Sequence, residues 1–78
     1  MKNLIESKIK NLETNMIGDI LHIDFDDIGN LWSEVFEEIF GREYDEDNDD
    51  DYENFGKIQD ISNELLSNKG TIKVEFDY

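Results

Sequence analysis

The sequence contains no cysteine, no proline and no alanine, and only one histidine. Without cysteine there is no disulfide framework, no thiolate metal site and no cysteine nucleophile, which fits a reducing compartment. Without proline there is no rigid linker to divide the chain. Apolar runs stop at two or three residues, and the N-terminal stretch lacks the apolar core of a signal peptide. Neither a membrane span nor export is therefore expected, and the expected location is the cytoplasm. Basic residues are scarce as well: seven Lys and Arg stand against 21 Asp and Glu, for a net charge of −14. A chain with that field is repelled by nucleic acid and by anionic membranes and attracts basic proteins. The expected partner is a basic protein, with neither direct nucleic-acid contact nor membrane contact.

What is present is a small chain of 78 residues, 37% hydrophobic with nine aromatics, enough for one modest core over residues 1–78. Its acidity is local. Residues 1–18 hold three lysines against two glutamates, and residues 61–78 hold two lysines against three acids. Residues 19–60 hold sixteen acids against Arg42 and Lys57, and so carry the whole imbalance. Within them, Glu43 to Glu53 reads EYDEDNDDDYE, eight acids in eleven residues, with Tyr44 and Tyr52 near its ends.

Periodicity predicts the elements. Ile5, Ile9, Leu12 and Met16 form one stripe of a helix over about 2–15. Gly18 interrupts it, and Leu21, Ile23 and Phe25 alternate with His22 and Asp24 in a strand over about 19–25, with His22 turned to solvent. Asp26 and Asp27 are candidate N-caps for a helix carrying Leu31, Trp32, Val35, Phe36, Ile39 and Phe40, ending at Gly41. Trp32, Phe36 and Phe40, with Val35 and Ile39 beside them, are assigned to the core. After an acidic loop at about 43–53, Phe55, Ile58, Ile61 and Leu65 mark a third helix, whose N-terminal dipole end would be met favourably by Asp50, Asp51 and Glu53, and which Asn68 to Gly70 closes. Thr71 to Tyr78 then alternates as a strand, with Ile72, Val74, Phe76 and Tyr78 on one face. The expected fold is α+β: a small two-layer domain of order α-β-α-α-β, its two short strands packed on helices.

Chemistry finds little to use. Asp45, Asp47 and Asp49 match the first ligands of an EF-hand loop, but Asp50 stands where glycine is needed and Gly56 where the bidentate glutamate is needed. No metal site and no cofactor are predicted. With one histidine and no Gly-rich phosphate loop, a catalytic constellation is missing too, and an enzyme is not expected. The acidic run is better read as a surface than as a solvated tail. It is tethered between two patterned helices, and Glu34, Glu37 and Glu38 extend it on the polar side of the second helix. Helical carboxylates at such spacings lie about 5–6 Å apart, close to what a groove built for phosphates accepts.

In the segment GREYDEDNDDDYENFGKIQDI, Gly41 to Ile61, a tyrosine, a dense acidic run, an aromatic and a helix follow one another. This pattern resembles the small acidic DNA-mimic inhibitors carried by phages, in particular anti-CRISPR proteins that block Cas9. The resemblance implies competitive occupancy of the basic cleft of a basic nucleic-acid-binding protein, a Cas nuclease, restriction enzyme or similar, in a host bacterial cytoplasm. Asp45, Glu46, Asp47, Asp49, Asp50, Asp51 and Glu53 would stand in for phosphates, Tyr44 and Tyr52 would pack at the edge, and Glu34, Glu37 and Glu38 would widen the field. Two other readings compete with it: an immunity or antitoxin protein capping a basic nuclease toxin, and a small homodimeric module pairing through the strand edge Thr71 to Tyr78. On the first reading, replacing Asp47, Asp49, Asp50 and Asp51 with Asn is expected to leave the fold intact while weakening partner binding.

Overall fold

The computed structural model describes residues 1–68 and 70–78. Its elements run α1 (Lys2–Ile9), β1 (Asn15–Ile17), β2 (Ile20–Asp24), α2 (Phe25–Phe40), α3 (Asp49–Leu66) and β3 (Lys73–Asp77). The class is α+β, as the sequence predicts, but the order is α-β-β-α-α-β. The extra strand comes from the C-terminal part of the first predicted helix.

That helix stops at Ile9 because the chain after it folds back as a hairpin. Asn15–Ile17 pairs antiparallel with Ile20–Asp24, with Ile17 opposite Ile20, so the connection is only Gly18 and Asp19. Gly18 takes φ 61 at the first central position, where a tight hairpin turn of this kind calls for glycine. Met16 satisfies a helical stripe by spacing, yet it stands opposite Leu21 in the sheet and is exposed.

β2 is the central strand of the order β1-β2-β3, and it pairs parallel with β3 in the register Leu21↔Val74 and Ile23↔Phe76. Parallel neighbours need a crossover, which α2 and α3 supply together. Ile23 is buried under the helices, and Leu21, Val74 and Phe76 pack against the same core. His22 alternates onto the other face, where its Nδ1 lies 3.3 Å from Asp77 Oδ1. It is half-buried there by its neighbours rather than freely solvated.

β2 passes into α2 without a loop. Asp24, the last strand residue, is the N-cap, its carboxylate accepting the Asp26 backbone N–H at 2.9 Å, so Asp26 and Asp27 occupy the first turn instead of capping it. The helix ends at Gly41, φ 71, whose N–H donates to Glu37 O at 2.8 Å.

The core is Ile5 from α1, Ile23 from β2, Ile58 and Leu66 from α3, and Ile28, Leu31, Trp32, Val35 and Phe36 from α2. Phe40 and Ile39, expected inside, lie at the margin, each 37% exposed, with Phe40 packed on the buried Phe36 ring at 4.5 Å. Tyr78 is exposed as well, stacked on Phe25 by one face, centroids 4.5 Å apart. A polar pair within the core is satisfied: Trp32 Nε1 donates to Ser62 Oγ at 2.7 Å, and Ser62 Oγ donates to Gln59 O at 2.8 Å. α3 ends with Ser67 as its C-cap. Of the predicted stop at 68–70, Asn68 (φ 51) and Gly70 (φ 88) make the left-handed turn, and Lys69 lies outside the described residues.

Candidate functional site

The acidic segment divides in two. Residues 41–48 connect the helices, and α3 begins at Asp49, six residues before the first apolar position that marks it in sequence. Asn48 is the reason: its side-chain oxygen accepts the backbone N–H groups of Asp50 (2.9 Å) and Asp51 (3.2 Å). With two orphan donors capped, Asp49, Asp50 and Asp51 form the first turn, where the positive end of the helix dipole favours carboxylates.

Asp51 does not belong to the surface. It is 1% exposed, its two carboxylate oxygens are held by the two terminal nitrogens of Arg42, and Oδ2 also accepts the Asp45 backbone N–H at 3.1 Å. The sequence reading of Asp51 as a phosphate substitute is therefore corrected: its carboxylate is turned inward and fully engaged. An Asn there would lose the ion pair that fastens the connection, so of the four replacements Asp51→Asn is the one now expected to weaken the fold. Hydrogen bonding from Arg42 holds the Asp51 carboxyl below its ordinary range against the opposing effect of burial, and the same bond raises Arg42.

Arg42 also lies over an aromatic face, its guanidinium carbon 5.7 Å from the Phe36 ring centroid. Tyr44 is drawn in behind it, stacked on Phe55 at 4.4 Å and edge-on to Phe36 at 5.6 Å. This corrects the picture of Tyr44 as an exposed edge residue: its ring is half-buried and pins the connection to both helices. Burial first, and the surrounding carboxylates second, push its phenol upward. Tyr52, in contrast, is 72% exposed on the first turns of α3.

With Asp51 inside, seven carboxylates of the run remain exposed: Glu43, Asp45, Glu46, Asp47, Asp49, Asp50 and Glu53. Asp45 spends one oxygen on the Asp47 backbone N–H at 3.0 Å, which tightens the turn. Among the described residues no group of three or more His, Asp and Glu side chains is placed to hold a metal ion.

The three glutamates of α2 do not act as one set. Lys8 of α1 reaches Glu34 at 3.4 Å and Glu38 at 3.5 Å, so these two face α1 and are partly neutralised. Glu37 stands between the two groups, sharing one hollow with Lys8, Glu34 and Glu38 and a second with Ser33 and with Glu43 and Tyr44 of the acidic side. The buried role of Asp51 was missed in the sequence, although an arginine before an acidic run is a visible signal: it is the one basic residue between Lys10 and Lys57.

No helix among the described residues is long and apolar enough to cross a membrane. No protein-family model, curated protein or solved structure matches the chain.

Proposed function

We propose that this protein is an acidic nucleic-acid-mimic inhibitor that occupies the basic cleft of a nucleic-acid enzyme, of the anti-CRISPR type with Cas9 as one candidate target. The observation that carries the reading is the fastening of the acidic connection by Arg42, Asp51 and Tyr44. A flexible acidic tail gives steering alone. Carboxylates on a fixed frame satisfy Lys and Arg side chains preorganised for phosphate, with less ordering cost at binding. Exposed Tyr52, one helical turn from Asp49, supplies an aromatic contact of the kind enriched in protein interfaces. The mechanism needs no chemistry: the field speeds encounter, and occupancy excludes DNA.

The test is competition. Guide-loaded Cas9, a restriction endonuclease and a repair glycosylase are each titrated with the protein while binding to labelled target DNA is measured. For the true target, the apparent Kd for DNA rises in proportion to inhibitor, and binding weakens steeply with salt. Replacing Asp47, Asp49 and Asp50 with Asn keeps the fold and weakens inhibition at least about tenfold, the loss of several charge-assisted contacts. DNA binding that is unaffected in all three enzymes overturns the proposal. So does a tight complex with a single nuclease that DNA does not displace, the behaviour of an immunity protein.

A further inference from the structure

Between α2 and α3 a shallow groove opens beside the core. Its walls are aromatic, from Phe25, Trp32 and Phe55, and its α2 side is made of Gly29 and Ser33, with Asp26 at the rim. Ser33 also lines the depression holding Glu37, Glu43 and Tyr44, so the two hollows are neighbours along α2. Among the described residues, every charged side chain lining either hollow is acidic.

Gly29 is the unexplained part. It sits in the interior of a sixteen-residue helix, where glycine is among the poorest formers. A Cβ added to it would meet nothing within 4 Å, so neither packing nor backbone conformation requires glycine there. What its missing side chain does provide is depth in the groove.

We infer that this groove receives an arginine side chain from a basic segment of the partner. The inference rests on the reading of the partner as basic. Aromatic walls with Asp26 at the rim, and Glu37 and Glu43 in the adjacent hollow, fit a planar, weakly hydrated guanidinium better than the compact ammonium of lysine. The protein already uses that contact internally, with Arg42 over Phe36. The acidic segment then supplies the field, and the groove supplies the side-chain-specific contact beside it.

The experiment titrates the full-length, 15N-labelled protein with a capped tetra-arginine peptide, alongside capped tetra-lysine and tetra-glutamine, at about 0.15 M salt so that long-range attraction is screened. Trp32, the single tryptophan, reports by emission as well. Tetra-arginine is expected to shift the Trp32 Nε1–H, Gly29, Ser33 and Gln59 signals and to bind more tightly than tetra-lysine. Gly29→Leu, which fills the groove with a good helix former, is expected to weaken it about tenfold. Ser33→Lys, on an exposed position, is expected to weaken it similarly should Gly29→Leu not fold. Gly56→Ala relieves the other mid-helix glycine with open space beside it, outside the groove, and leaves binding unchanged.

Shifts confined to residues 45–53, equal binding of tetra-lysine, or unchanged affinity in both groove variants would overturn the inference. Groove variants that lose the peptide yet still inhibit the target enzyme also overturn it, leaving the mimic reading standing. Groove binding in a chain that displaces no DNA upholds the groove and removes the mimic.

Discussion

Arg42 and Asp51 are bound to each other but live in different media: the aspartate side chain is 2% exposed and the arginine side chain 49%. The two partners are therefore not equivalent. Removing Arg42 strands a carboxylate with no water to replace the lost donors, whereas removing Asp51 releases a guanidinium already half in solvent. Arg42→Ala is expected to lower the melting temperature more than Asp51→Ala, and a double-mutant cycle measures the coupling between them.

The same pair sets the acid limb of stability. The Asp51 carboxyl is lower when folded than when unfolded, so its contribution is fully present above the unfolded value, about 3.9 for a free aspartate. It is lost as pH falls through the lower folded value. Asp51→Asn, already weakened at neutral pH, is expected to lose less further stability than the parent between about pH 4 and pH 2. Urea titrations at stepped pH check this.

Tyr44 acts at the other end of the scale. Its raised phenol favours the folded state below the unfolded value, near 10, and that contribution disappears as pH rises through the folded value. Ultraviolet titration of the three tyrosines is expected to show a late component that Tyr44→Phe removes.

Ser62 serves the tryptophan. Ser62→Ala leaves the Trp32 indole N–H unsatisfied in a position that is 6% exposed, at an expected cost of about 1–3 kcal/mol. Thermal unfolding with Trp32 emission as the probe measures it.

Asn48 fixes where α3 starts. Asn48→Ala removes the acceptor for two backbone donors and is expected to cost about 1 kcal/mol. That corresponds to about 4–8 °C in melting temperature for a domain of this size. Hydrogen exchange at Asp50 and Asp51 should rise with it.

Several of these features were written plainly in the sequence. The α2 stripe and its glycine stop, and the alternation of β2 and β3, follow from hydrophobic period alone. The hairpin was legible in principle too, since Gly18-Asp19 between two short apolar stretches is a hairpin signal. It lost to a helical stripe that Met16 happened to complete. The start of α3 was obscured for a different reason. Hydrophobic period finds helices by their buried face, and the first turns of α3 contribute Asp51 to that face, a polar residue that only its distant partner makes tolerable. Asn followed by three aspartates is an N-terminal signature, but charge density made it look like loop. Asp51 and Tyr44 are drawn inward by different partners, Arg42 for the one and Phe55 and Phe36 for the other, contacts that only the folded turn brings near.

The parallel pairing of β3 with β2 joins Val74 to Leu21, more than fifty residues earlier in the chain. The helical layer is no more local, since α1 packs on α3 and Ile5 shares the core with Ile58. Only the β1–β2 hairpin joins neighbouring segments by a two-residue turn. Closure entropy must be met before the long-range pairings return any stabilisation, so this domain is expected to fold more slowly than a helical bundle of the same length.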